Sequence, residues 1–128
     1  TQKPSSAASD VYKRQPEEWV RQNFIKYLIS KNYPKSLINC EKSFYINRVL
    51  KRYDIVVYDI DGKVSILVEC KSPNINIINE HFDQVMRYNI ELKSKMIIVT
   101  NGLNHFYFKL DKNINQYVQE KDLIFYNK

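Results

Sequence analysis

Tyr53-Asp54-Ile55-Val56-Val57 and, one turn later, Val68-Glu69-Cys70-Lys71 are the stretches whose reading decides the fold. Apolar, β-branched residues around both acids predict two strands, and Asp61-Gly62 between them predicts a tight hairpin turn. Side chains alternate along a strand, so Glu69 and Lys71 share one face while Cys70 joins Val64, Ile66 and Val68 in an apolar row. Two carboxylates and one ammonium thereby gather at one place on a hydrophobic sheet. Carboxylates that close repel each other unless a proton or cation lies between them, and Mg²⁺ takes carboxylate, carbonyl and water oxygens. The pattern reads as a metal site.

Outward from this hairpin, Val20, Phe24, Tyr27 and Leu28 recur at i, i+4, i+7 and i+8. That spacing predicts an amphipathic helix over residues 16 to about 31, ended at Tyr33-Pro34. Residues 38 to about 46 read as a strand, a turn follows near residues 47–51, and residues 53–60 and 63–71 form the hairpin strands. Ser72-Pro73-Asn74 breaks the chain before a second helix over residues 79–92. Residues 96–100 are a short apolar strand reached by a crossover, hence parallel to its predecessor. Asn101-Gly102 turns the chain into a strand over residues 105–110, with a further short strand near Tyr117. The expectation is an α/β fold of order α-β-β-β-α-β-β, a mixed sheet with flanking helices.

With 128 residues, 44% of them hydrophobic and only two glycines, the chain reads as one globular domain. No apolar run approaches the ~20 residues that span a bilayer, and nothing resembles a secretory leader. Cys40 and Cys70 form no CxxC pair, so a reducing, cytoplasmic setting is expected, with Cys70 an inert core thiol. Neither His81 nor His105 has metal-ligand spacing, and both read as structural. The net charge of +6 suits a polyanionic partner, but its basic residues are scattered, with small clusters at Arg48, Lys51, Arg52 and at Lys93, Lys95.

Residues 1–15 differ from the rest: small, polar and without pattern. The run Ser5-Ser6-Ala7-Ala8-Ser9-Asp10-Val11-Tyr12-Lys13-Arg14-Gln15 resembles a translated sequencing-adapter junction. Pro16-Glu17-Glu18 is a good first helical turn, yet Gln15 before it is a poor N-cap. Residues 1–15 are therefore read as a non-native, disordered appendage, and residues 16–128 as the domain. Without that appendage 17 basic and 13 acidic residues remain, a charge of +4.

The strand order, with an acid on the second strand and acid-x-lysine on the third, resembles the PD-(D/E)xK nuclease superfamily. The closer resemblance is to the N-terminal nuclease domain of the type I restriction enzyme R subunit. It is carried by Pro16-Glu17-Glu18-Trp19-Val20-Arg21-Gln22, Arg52-Tyr53-Asp54-Ile55-Val56-Val57, Val68-Glu69-Cys70-Lys71 and the QxxxY element Gln84-Val85-Met86-Arg87-Tyr88. Tyr53 stands where the superfamily motif has proline. Full-length R subunits continue into a translocating ATPase, whereas nothing here matches GxxxxGK[ST], so the chain looks like a stand-alone member.

The resemblance implies a restriction-endonuclease-like fold and a Mg²⁺-dependent DNA endonuclease, with Mn²⁺ able to substitute. It implies Asp54 and Glu69 as metal ligands, the Cys70 backbone carbonyl as a third oxygen, and Lys71 as the group that orients or deprotonates the attacking water. Gln84 would touch the lysine, the water or a phosphate. Tyr88, Arg87 and Arg52 would meet the DNA backbone. Glu18 is a candidate to complete the site, Glu17 competes with it, and both also fit plain first-turn acids. DNA is the expected partner, with targeting supplied by a second protein; a homodimer stays open, because domains of this size often need two copies to cut both strands. The alternative from another class is a catalytically inactive nucleic-acid-binding or assembly module of the same fold.

Overall fold

The structure, a computed structural model, describes residues 6–127; of residues 6–15, 88, 90 and 91 it describes the backbone only. The two strands read from the acid-bearing stretches lie in the middle of the chain's one sheet. β1 (Ile38–Ile46), β2 (Val49–Tyr58), β3 (Val64–Cys70), β4 (Met96–Thr100), β5 (His105–Asp111) and β6 (Gln116–Glu120) are hydrogen-bonded in chain order. All neighbours are antiparallel except β3 and β4, which the helical crossover makes parallel. The helices are α1 (Ser6–Ser30) and α2 (Asn79–Leu92), and a short 3₁₀ turn (Lys35–Leu37) precedes β1. The mixed α/β architecture is that expected; the order is α-β-β-β-α-β-β-β, one strand (β6) longer than the expected α-β-β-β-α-β-β. Among the described residues no helix is long and apolar enough to cross a membrane.

Alternation along the central strands divides the core into two layers. Val20, Phe24 and Leu28 of α1 pack on Ile55, Val57, Ile66, Val68, Cys70, Met96, Ile98 and Tyr107. The opposite face presents Ile97, Val99 and Phe108 to Phe82, Val85 and Met86 of α2, with Tyr53, Val56 and Leu67 continuing that layer toward Leu92. α1 ends where Asn32 takes a left-handed φ of 70° and the Tyr33 N–H donates to the Leu28 carbonyl. His81 accepts a 2.9 Å hydrogen bond from the Ile78 N–H and so caps α2, a structural role.

Several expectations are corrected. α1 begins at Ser6, ten residues before the expected start, and carries Pro16 inside it. Ala7, Ala8, Lys13, Arg14 and Gln15 are good helix formers, and proline's fixed φ is itself helical, its penalty being one lost hydrogen bond and a crowded carbonyl. The backbone of residues 6–15, in the segment read as an appendage, is helical; residues 1–5 lie outside the described residues. The turn expected over residues 47–51 is only Asn47-Arg48, both with positive φ, as a two-residue hairpin demands. Conversely, the Asp61-Gly62 hairpin turn is five residues long. The Asp59 carboxylate accepts from the N–H groups of Asp61 and Lys63, both at 2.9 Å, and Gly62 takes φ 81°. Val64 leaves the apolar row of Ile66, Val68 and Cys70 and packs with Leu67. A β-bulge between Val57 and Tyr58 inserts one residue and flips the face.

Candidate active site

A second break in alternation builds the site. Tyr53 would be expected to face the same way as Ile55 and Val57, yet it packs with Val56 and Leu67 on the α2 side. The strand changes face at Asp54. Opposite it, Glu41 has a left-handed φ of 56°, and the register passes from Cys40↔Ile55 to Lys42↔Tyr53 without a paired Glu41 and Asp54. The β2–β3 register likewise ends at Ile55↔Val68. Where the next ladder bond would fall, Asp54 Oδ2 instead accepts the Cys70 N–H at 2.7 Å. The side chain of Asp54 thus stands in for a neighbouring strand, and holds the strands open at Glu69 and Lys71.

Glu69 is 7% exposed, on a strand buried on both faces. Its Oε1 receives no hydrogen bond of ordinary geometry; the nearest cation, Lys51 Nζ, lies 3.5 Å away. Burial, then the charge of Asp54, pushes the Glu69 carboxyl up to about 7, against the pull of Lys51 and Lys71. Burial also raises Asp54, opposed first by the Cys70 N–H bond and then by Lys71, Lys51 and Arg52. The Cys70 thiol is pushed well above its ordinary range by burial and by both acids, and stays protonated and inert. Lys71 is anchored from behind: its N–H donates to the Thr100 carbonyl at 2.7 Å, one step beyond the β3–β4 ladder. Asn101 then fixes the loop after it, donating to the Ile75 carbonyl while accepting from the N–H groups of Leu103 and Asn104.

Asp54 opens to solvent on the α1 side, through a cleft of ≈ 80 Å³ that it lines with Glu17, Glu18, Arg21, Glu41 and Arg52, while Glu69 stays buried behind it. α1 is held over this end by Gly102, where a Cβ would fall 2.8 Å from Trp19 Cζ3 and 3.1 Å from Val20 Cγ2. Glu18 is already engaged with Arg21 and Gln22, and its carboxyl is held below the usual range by Arg21 first. Arg21 also reaches Glu41 at 3.6 Å. Glu17 and Glu18, which the longer helix places in its interior and not in its first turn, both line the cleft, Glu18 through a local network that neutralises it.

The structure thus brings together Asp54, Glu69 and Lys71, with Arg52 and Glu18 at the cleft. Gln84 and Arg87 are exposed on α2, and among the described residues Gln84 makes no hydrogen bond with the acid–lysine group. The Tyr88 side chain lies outside the described residues. Sequence reasoning missed Lys51 as the partner of Glu69 and Arg21 and Glu41 as cleft residues. Only the basic pair Lys51-Arg52, just ahead of Tyr53-Asp54 in an otherwise apolar strand, hinted at the first.

Among the described residues no three His, Cys, Asp or Glu side chains converge on one point. The donors present are two carboxylates, one of them with a buried oxygen, Glu69 Oε1, that accepts no hydrogen bond. That set fits Mg²⁺, which keeps several waters and needs only one or two carboxylates; it does not fit a soft metal, which would select thiolate or imidazole.

An α/β domain with paired acids and a lysine where two strands part defines the structural class. The chain belongs to the type I restriction enzyme R protein N terminus family (HSDR_N), which it matches over residues 16–123. No curated protein matches it.

Proposed function

We propose that residues 16–128 are a Mg²⁺-dependent DNA endonuclease domain with the PD-(D/E)xK restriction-endonuclease-like fold, hydrolysing phosphodiester bonds. The observation that carries this reading is the pair Asp54 and Glu69, held against each other beside Lys71 where the β2–β3 ladder opens. Family membership supports it. Asp54, Glu69 and the Cys70 carbonyl would hold Mg²⁺, or Mn²⁺ in its place. When bound, the metal lowers the pKa of a water and withdraws charge from the phosphoryl group. Lys71 orients that water and stabilises the charge that grows on the phosphate, its backbone fixed by Thr100. Arg52 at the cleft and Arg87 on α2 take flanking phosphates, Gln84 and Tyr88 assist from α2, and Glu17 or Glu18 completes the set from α1. Such contacts position DNA without reading sequence, so targeting falls to a partner protein in the cytoplasm.

The test is calorimetric titration with Mg²⁺, followed by nicking of supercoiled plasmid. Asp54→Ala, Glu69→Ala and Lys71→Ala should each abolish metal-dependent nicking while keeping the parent's circular dichroism spectrum. Parental nicking by Glu69→Ala would overturn the assignment. Metal and DNA binding without nicking by the parent chain would make it a non-catalytic binding module.

A further inference from the structure

β2 outruns its inner neighbour. Its register with β3 stops at Ile55↔Val68, whereas its register with β1 continues from Lys42↔Tyr53 to Ile46↔Val49. Residues 42–53 are therefore a two-stranded arm that leaves the sheet at Asp54 and closes on the Asn47-Arg48 turn. The arm carries Lys42, Arg48, Lys51 and Arg52 and no acidic residue. Its two faces differ. One is packed: Ile46 is buried, and the Phe44 and Tyr53 rings meet at 5.9 Å. The other carries the directly opposed pairs Tyr45↔Leu50 and Ser43↔Arg52. All four of these residues are exposed, Tyr45 at 77% and Leu50 at 56%.

Among the described residues this face is left exposed, and its order has a direction. From the tip inward it runs from an aromatic–aliphatic platform to Arg52, and Arg52 lines the same cleft as Asp54. A ring that stacks, a cation one step along, and no acid in the arm match one nucleotide: base on Tyr45 and Leu50, phosphate on Arg52. A paired base has both faces covered by its neighbours and offers Tyr45 nothing to stack on.

We propose that the β1–β2 arm receives an unpaired nucleotide next to the scissile phosphate, so that the substrate class is DNA with an unpaired strand at a fork, flap or gap. This rests on the nuclease reading but is tested apart from it. Fluorescence anisotropy in EDTA compares one sequence as single strand, blunt duplex and fork against the parent, Tyr45→Ala and Tyr45→Phe, each first shown to be folded. The fork should bind roughly fivefold or more tighter than the blunt duplex. Tyr45→Ala should lose about tenfold on the fork, Tyr45→Phe should keep the parent's affinity, and an abasic site in the unpaired strand should reproduce the alanine loss. Equal affinity for fork and blunt duplex overturns the proposal, as does an unchanged Tyr45→Ala. So does a Tyr45→Ala that alters self-association in sedimentation but not DNA binding, which would make the face a protein contact. Fork preference without metal-dependent cleavage would sink the nuclease reading alone, and cleavage without fork preference the arm alone.

Discussion

Removing the charge of Glu69 should make the metal-free protein more stable, by an amount that depends on pH. The folded chain raises this carboxyl from 4.5 to about 7, chiefly through burial and secondly through Asp54. Between those values the folded state keeps a proton that the unfolded state has released, so stability falls as pH rises through the window and then levels off. At 1.36 kcal/mol per pKa unit, a charged Glu69 costs about 3 kcal/mol above the window and nothing below it. Glu69→Gln keeps the shape and the donor of the protonated acid but carries no charge. The variant should therefore melt with the parent near about pH 4.5 and roughly 10 °C above it at about pH 8, for a domain of this size. Differential scanning calorimetry in EDTA at both pH values measures the gap. Adding Mg²⁺ at high pH should narrow it, because the ion stabilises only the chain that keeps both carboxylates. A gap of equal size at both pH values, or a variant that melts below the parent at high pH, would refute the reasoning.

Gly102→Ala should destabilise the fold by roughly 2 kcal/mol in urea denaturation, since φ is 88° there and the added Cβ meets buried Val20 as well as Trp19. Asn101→Ala should cost about 1–3 kcal/mol by the same assay, because a buried side chain that ties the Lys71 loop to the β4–β5 turn leaves its partners unsatisfied. It should also slow plasmid nicking, while Asn101→Asp, which keeps the acceptor, should recover part of the stability. Deleting residues 1–15 should leave the urea midpoint and any nicking activity at the parent's values; loss of folding on truncation would show that segment to belong to the domain.

Regular periodicity made much of the fold legible. The helix over residues 79–92 and the strand over residues 96–100 have the bounds read from sequence, because each has one uninterrupted apolar pattern, with Ser72-Pro73-Asn74 ahead of them, the polar Lys93-Ser94-Lys95 between them and Asn101-Gly102 after them. Irregular places were not legible. The bulge that carries Val64 across the sheet and the reversal of face at Asp54 leave no mark in composition, because a strand pattern assumes that every residue advances the pleat by one step. The left-handed Glu41 lies thirteen positions away from Asp54, and only the paired strands show that one kink serves both.

The sequence alone determined that an acid on one strand and acid-x-lysine on the next would meet across a hairpin, since local pairing and two-residue alternation settle that much. The tertiary structure decided what those groups experience. It buries Glu69 against Asp54, brings Lys51 rather than Lys71 to within 3.5 Å of it, engages Glu18 with Arg21, and lets β2 run past β3 into a basic arm. Burial and charge–charge energies depend on distances between residues remote in the chain, and those distances exist only once the sheet and its two helices have packed.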